Sequence, residues 1–147
     1  MKSRSSLLTS LLAASLLFFA SHAHSDNHMS APPVKSQGST TYITGGVTVD
    51  ERDVMKPLAK DYNLRMSFAL SVGNYVSDVK VTVMGGKKTV LDVVSDGPFL
   101  YVKLPAGKYS INAEYEGKTV RKSATIGPKK GASLNFVWPG VKEKYEN

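Results

Sequence analysis

The side chains most able to do chemistry in this sequence lie at its amino end. Its three histidines stand at positions 22, 24 and 28, and there is no cysteine. If the chain is cut after Ala23, His24 becomes the new terminus. Its amine and imidazole, with Asp26 and His28, then form a donor set that suits Cu(II) or Zn(II). A cut after Ser21 instead leaves His22-Ala23-His24, with a histidine third from the amine, which is an N-terminal copper arrangement. The alternative is a soluble spacer whose histidines hold nothing, because no second layer of orienting partners is evident. From residue 41 to 139 there is neither His nor Cys. The body of the chain therefore has no Ser–His triad, no Cys–His pair and no His-rich metal site. Disulfides, zinc–thiolate sites and iron–sulfur clusters are excluded for the whole chain.

Other reactive groups have simpler explanations. Asp50, Glu51 and Asp53 crowd a helix start, where carboxylates suit the helix dipole. As a glycosidase pair they lack a partner at any identifiable distance. Lys122 and Ser123 are adjacent on a strand and so point to opposite faces. The expectation is no catalytic residue, no bound cofactor, no metal ligand and no enzyme. Basic residues fall in short groups: Lys87-Lys88, Lys118 to Lys122, Lys129-Lys130 and Lys142 to Lys144. They give a formal charge of +7, but they are dispersed, with no aromatic regularly interleaved. That argues against nucleic acid. It suits solvated turns, protected edges and a mild attraction to anionic envelope polymers such as lipopolysaccharide.

Something must position these groups, and the first segment does not. Lys2 and Arg4, the apolar run 7–20, and the small residues Ser21 and Ala23 make the three parts of a secretory signal peptide. The run is shorter than the ~20 residues that span a bilayer. Cleavage after Ala23 would remove two of the 19 cations and no acid. The expected location is the periplasm, with secretion or outer-membrane association as alternatives. Residues 24–40 are polar and show no period, and are expected as a flexible arm. One β domain is expected over 41–139, and a charged tail over 140–147.

One helix is expected at the start of the domain, capped by Asp50, with Val49 and Val54 as a hydrophobic staple. Val54, Leu58 and Tyr62 recur at helical spacing beside Met55 and Ala59. Pro57 interrupts the pattern, or starts the helix instead. After Asn63 the period becomes two. Leu64 to Leu70, Val79 to Val83, Tyr109 to Tyr115 and Leu134 to Trp138 alternate apolar with polar residues, as in antiparallel sheets solvated on one face. Residues 89–94 and 99–104 are apolar on both faces and should be more buried. Residues 119–126 are weaker, because Lys122 breaks the Val120/Ala124/Ile126 face. Gly- and Pro-rich turns separate the runs at sandwich-like spacing. The expectation is a mainly β, antiparallel, seven-stranded sandwich of transthyretin or immunoglobulin type with one short N-terminal helix.

The stretch 95–115, SDGPFLYVKLPAGKYSINAEY, resembles carboxypeptidase regulatory-like domains, which are small transthyretin-like sandwiches. The likeness lies in Asp96-Gly97, the aromatic strand 99–104 and the turn Leu104-Pro105-Ala106-Gly107-Lys108-Tyr109. The wider region 44–115 is similar to proteobacterial exported proteins that carry such a domain. The resemblance implies the fold and an accessory, non-catalytic role. Pro105 presets the turn, Gly107 accepts a positive φ, and Tyr109 enters the next strand on its core face. Together these features point to a non-catalytic periplasmic binding or adaptor domain engaging a protein or cell-envelope partner. The alternative function is copper binding through the His-containing arm.

Overall fold

The alternating runs form strands, and their apolar faces meet between two sheets. The structure, a computed structural model, describes residues 30–140. The expected signal peptide, residues 24–29 of the expected arm and residues 141–147 of the tail lie outside the described residues. In chain order the elements are β1 (Lys35–Gln37), β2 (Thr40–Gly45), α1 (Val49–Leu58) with a 3₁₀ turn (Ala59–Asp61), and β3 (Leu64–Leu70). Then come β4 (Lys80–Gly85), β5 (Lys88–Val94), β6 (Phe99–Lys103), β7 (Gly107–Tyr115), β8 (Lys118–Ile126) and β9 (Ala132–Trp138). A five-stranded sheet has the order β1-β2-β6-β3-β9, and a four-stranded sheet the order β5-β4-β7-β8. The two are joined through a core that includes Leu64, Phe68, Leu100, Phe136 and Trp138 from the first sheet, and Val81, Leu91, Ile111 and Ile126 from the second.

Several expectations need correction. The described residues contain nine strands, not seven. The additional pair is β1 and β2, and β1 lies inside the stretch expected to be an arm. β1 is stitched at both ends of the register Lys35↔Tyr42 to Gln37↔Thr40. Further contacts tie it to β5 of the other sheet and to the loop after β5. Lys35 pairs with Asp96 at 2.6 Å. The Gln37 side-chain amide donates to the Asp92 carbonyl at 3.0 Å and accepts from the Asp92 N–H at 2.6 Å. Gln37 thus pairs with edge strand β5 as another backbone would.

The sheets are also not wholly antiparallel, because β3 and β9 run parallel from Leu64↔Ala132 to Leu70↔Trp138. The cause is the crossover at residues 127–131, which returns the chain beside the start of β3. Ala132 N–H donates to the Asn63 carbonyl at 2.8 Å. Gly131 lies so close to the Asn63 carbonyl that a Cβ would collide with it. Asn63 also clamps Leu104 through its side-chain amide, donating at 2.6 Å and accepting at 2.8 Å.

The helix starts earlier than expected. Its N-cap is Thr48, whose hydroxyl accepts from Glu51 N–H, while Glu51 reaches back to Val47 N–H at 3.1 Å. This is the Thr-x-x-Glu reciprocity of a capping box, displaced by one residue at the backbone donor. Asp50 is therefore inside the helix, and Val49 is exposed rather than stapled. Pro57 stays within the last turn. It removes one intrahelical donor, and the chain tightens to the 3₁₀ turn directly after.

Strand β6 is buried on both faces as expected, but β5 is not. In β5 only Leu91 is buried, and Thr89, Asp92 and Val94 are exposed. Its bulge between Val83 and Met84 of the partner strand leaves Val90 unpaired, and β5 is an edge. Lys122 points inward from edge strand β8, with its Nζ 5.8 Å from the Phe136 ring centroid. The residue that breaks the apolar alternation is thus a cation shielding the open side of the core. The turn at 104–109 has the core-facing Tyr109 as expected, and its hydroxyl donates to the Pro105 carbonyl at 2.7 Å. That bond gives the Pro-to-Tyr spacing a physical reason. Gly107, with φ 159, is already strand β7 rather than a left-handed turn residue.

Candidate functional site

The helix packs on the outer face of the five-stranded sheet and covers only part of it. Met55, fully buried, meets Ile43 of β2, Tyr101 of β6 and Tyr62, with Leu58, Ala59 and Phe99 around them. Among the described residues nothing covers the face beyond the helix, over β6, β3 and β9. There Arg65, Met66, Ser67, Tyr75, Phe99, Tyr101, Ser133 and Asn135 line a groove of about 330 Å3.

Each side chain is held from its own element. Tyr75 lies in the loop after β3, where a bridge to Ala69 and a bond from Leu70 N–H to the Asn74 carbonyl fold the loop back. Its ring meets Phe99 edge-on at 5.4 Å, and Phe99 meets Tyr101 at 6.1 Å. Gly46 makes room for this row: at φ 93, a Cβ would stand 2.5 Å from the Phe99 ring. Arg52 of α1 sits 5.3 Å over the Tyr75 ring while donating to the carbonyls of Gly46 and Val47. A guanidinium can stack on an aromatic face while keeping its in-plane bonds.

The opposite wall is polar. Arg65 donates to the Ser133 hydroxyl at 2.9 Å and to the Tyr62 carbonyl at 2.8 Å. Two of its five N–H donors are engaged in these bonds, and its planar fork is fixed. The Ser67 hydroxyl donates to Asn135 Oδ1 at 2.6 Å, which leaves the Asn135 amide nitrogen to serve a ligand. Burial pushes the Tyr101 phenol above its ordinary value; Tyr75 adds to this and Arg65 partly opposes it. Tyr101 is therefore a neutral hydroxyl throughout the physiological range. The groove offers aromatic surface, the Arg65 guanidinium, hydroxyls and an amide, and among the described residues its lining has no carboxylate or imidazole.

The residues weighed from sequence lie elsewhere. Asp50 is exposed, Glu51 serves the helix cap, and Asp53 pairs with Lys56 at 2.8 Å, which lowers its carboxyl below the usual value. Lys122 and Ser123 point to opposite faces of β8. His22, His24, Asp26 and His28 lie outside the described residues. Among the described residues there is no group of three or more His, Cys, Asp or Glu able to hold a metal, and no helix long and apolar enough to cross a membrane. Lys87 and Lys88 sit at the β4–β5 turn, and Lys118 to Lys122 lie on β8.

Lys129 and Lys130 are different. They line a hollow of about 200 Å3 with Lys60, Asp61, Arg65 and Lys103. The sequence showed these cations as scattered, and the fold gathers them. The groove itself escaped sequence reasoning, since Arg65 and Ser67 read as an ordinary solvated face. The available signal was β6, with apolar residues on both faces. No protein-family model matches the chain, and no curated protein matches it.

Proposed function

We propose that this chain is a non-catalytic exported binding domain that holds a protein or cell-envelope partner in the groove beside α1. The observation that carries this is the groove's composition: an aromatic row faces hydroxyl, amide and guanidinium groups, with no acid–base pair among them. Ligand sites of this kind combine apolar surface with a few fixed polar groups that set orientation. The secretory-type amino end supports placing the protein in the periplasm. The Leu104-to-Tyr109 turn and the paired sheets support grouping it with carboxypeptidase regulatory-like, transthyretin-like domains.

The test is retention of envelope fractions on immobilised protein, comparing the wild type with Tyr75→Ala and Asn135→Ala. Tyr75 is 53% exposed and Asn135 is exposed, so both variants should keep close to the wild-type melting temperature. A component retained by the wild type and lost from both variants supports the reading. Equal retention by all three, or turnover of an envelope substrate by the purified protein, would overturn it.

A further inference from the structure

The groove does not end at Ser133. Arg65 lines both the groove and the basic hollow beside the loop 127–131, so the two form one continuous surface. In the hollow, Lys60, Lys103, Lys129, Lys130 and Arg65 surround a single acid, Asp61. They come from the 3₁₀ turn, β3, β6 and the crossover loop. Among the described residues none of the four lysines makes an ion pair, since the pairs found there are Lys35–Asp96 and Lys56–Asp53. Like charges gathered without partners raise the energy of the folded state, and they focus a positive potential in a concave site.

The hollow is also rigid where it meets the groove. Asn63 clamps Leu104 on one side and the start of β9 on the other, through its side-chain amide and its own carbonyl. Arg65 is pinned by Ser133 and Tyr62. A fixed planar guanidinium is matched to a carboxylate or phosphate, and it loses little freedom on binding. From this anion position the surface leads to Ser133, Asn135 and Ser67, which suit ring hydroxyls, and then to the aromatic row. An aromatic face packs against the C–H face of a sugar ring.

We propose that the surface binds a soluble anionic oligosaccharide, with a carboxylate or phosphate at Arg65 and the lysines and a neighbouring ring on Phe99 and Tyr75. This deepens the proposed function by naming the ligand class. It rests on the groove being the binding surface.

The test is calorimetric titration with a uronic-acid hexasaccharide, its neutral counterpart, inorganic tripolyphosphate and a hexaglutamate peptide. The uronate should bind more tightly than the neutral sugar and the peptide. K129Q/K130Q should weaken uronate binding about tenfold, while K87Q/K88Q, with the same charge change at the distant β4–β5 turn, should change it less than about twofold. Tyr75→Ala should weaken the uronate but not tripolyphosphate, which has no ring to stack. Equal losses in the two lysine variants would reduce the effect to net charge and overturn the site. Hexaglutamate bound as tightly as the uronate would overturn the ligand class. If the uronate fails but an envelope component is still lost from Tyr75→Ala and Asn135→Ala, the binding function stands and the saccharide is wrong. If neither is retained, both fall.

Discussion

The outer faces of the two sheets begin from the same strand pattern and end differently. On the four-stranded sheet, Lys80 stands opposite Glu114, Thr82 opposite Asn112, and Asn112 opposite Arg121, with Ser110 opposite Ser123. This is a solvated polar lattice, and no helix packs over it among the described residues. On the five-stranded sheet, Arg65 and Ser67 of β3 alternate in the same way, yet their neighbours are the Phe99 and Tyr101 rings. The difference comes from outside β3. Strand β6 is apolar on both faces, α1 covers one half, and Tyr75 arrives from a loop. A face becomes a site when a neighbouring strand breaks the polar alternation and the covering helix stops short.

The largest effect separates both faces from the core they share. Tyr109→Ala removes a buried ring and its bond to Pro105, and should cost about 3–5 kcal/mol by analogy with Phe truncations. Lys108→Ala, on the bare outer face one residue earlier, should cost under about 0.5 kcal/mol. Urea melts of the pair check this, and equal losses would mean that the strand phase is wrong.

Next comes the covered half of the five-stranded sheet. Met55→Ala should cost about 2–4 kcal/mol, because Met55 is the buried knob of a second core. Ser110→Ala on the other sheet's outer face should stay within about 0.5 kcal/mol. Similar values for the two would erase the contrast between the faces. Asn63→Ala leaves the part-buried N–H and carbonyl of Leu104 without their partner, and should cost about 1–3 kcal/mol. It should also raise amide exchange at Leu104 and Ala132, as native-state hydrogen exchange would show.

The smallest effects are alkaline. Burial raises the phenols of Tyr62 and Tyr101, both in the second core. Their folded-state values lie above the unfolded ones, so the stabilisation is complete below the unfolded value of about 10 and is lost as pH rises through the folded values. The bond to Asp96 raises Lys35, with burial opposing. Its contribution is likewise present below about 10.4 and fades above it, and as an exposed pair it is worth under about 1 kcal/mol. Melts of wild type and Asp96→Asn from neutral to alkaline pH should converge at the top of the range. A gap that widens there would reverse the sign.

Much of this was legible in the sequence. The seven runs read as strands are strands, the helix holds Val54, Met55 and Leu58 of the expected repeat but stops short of Tyr62, and Tyr109 faces the core. What was missed has physical causes. Residues 40–45, TTYITG, carry little apolar alternation, and β1 is a three-residue strand held by the β2 ladder and by the Gln37 amide acting in place of backbone on β5. Such pairing has no periodicity. Parallel pairing of β9 depends on where a crossover lands, which Gly131 against Asn63 decides in space. The basic hollow joins Lys60 and Lys103 to Lys129 and Lys130, and no local window contains them together.

The parallel β3–β9 pair also governs the order in which the molecule can form. Arg65 and Ser133 are bonded across 68 positions, whereas the β4–β5 and β7–β8 hairpins close over a few residues. Contacts so distant along the chain carry their loop-closure entropy before they return any stabilisation. Because Phe136 and Trp138 sit on β9, the last strand among the described residues, a chain emerging amino end first can assemble its hairpins early but cannot complete this core before β9 is made. Completion of this sheet is therefore gated by β9. Any nascent chain halted before Ala132 carries an unfinished five-stranded sheet with an open β3 edge.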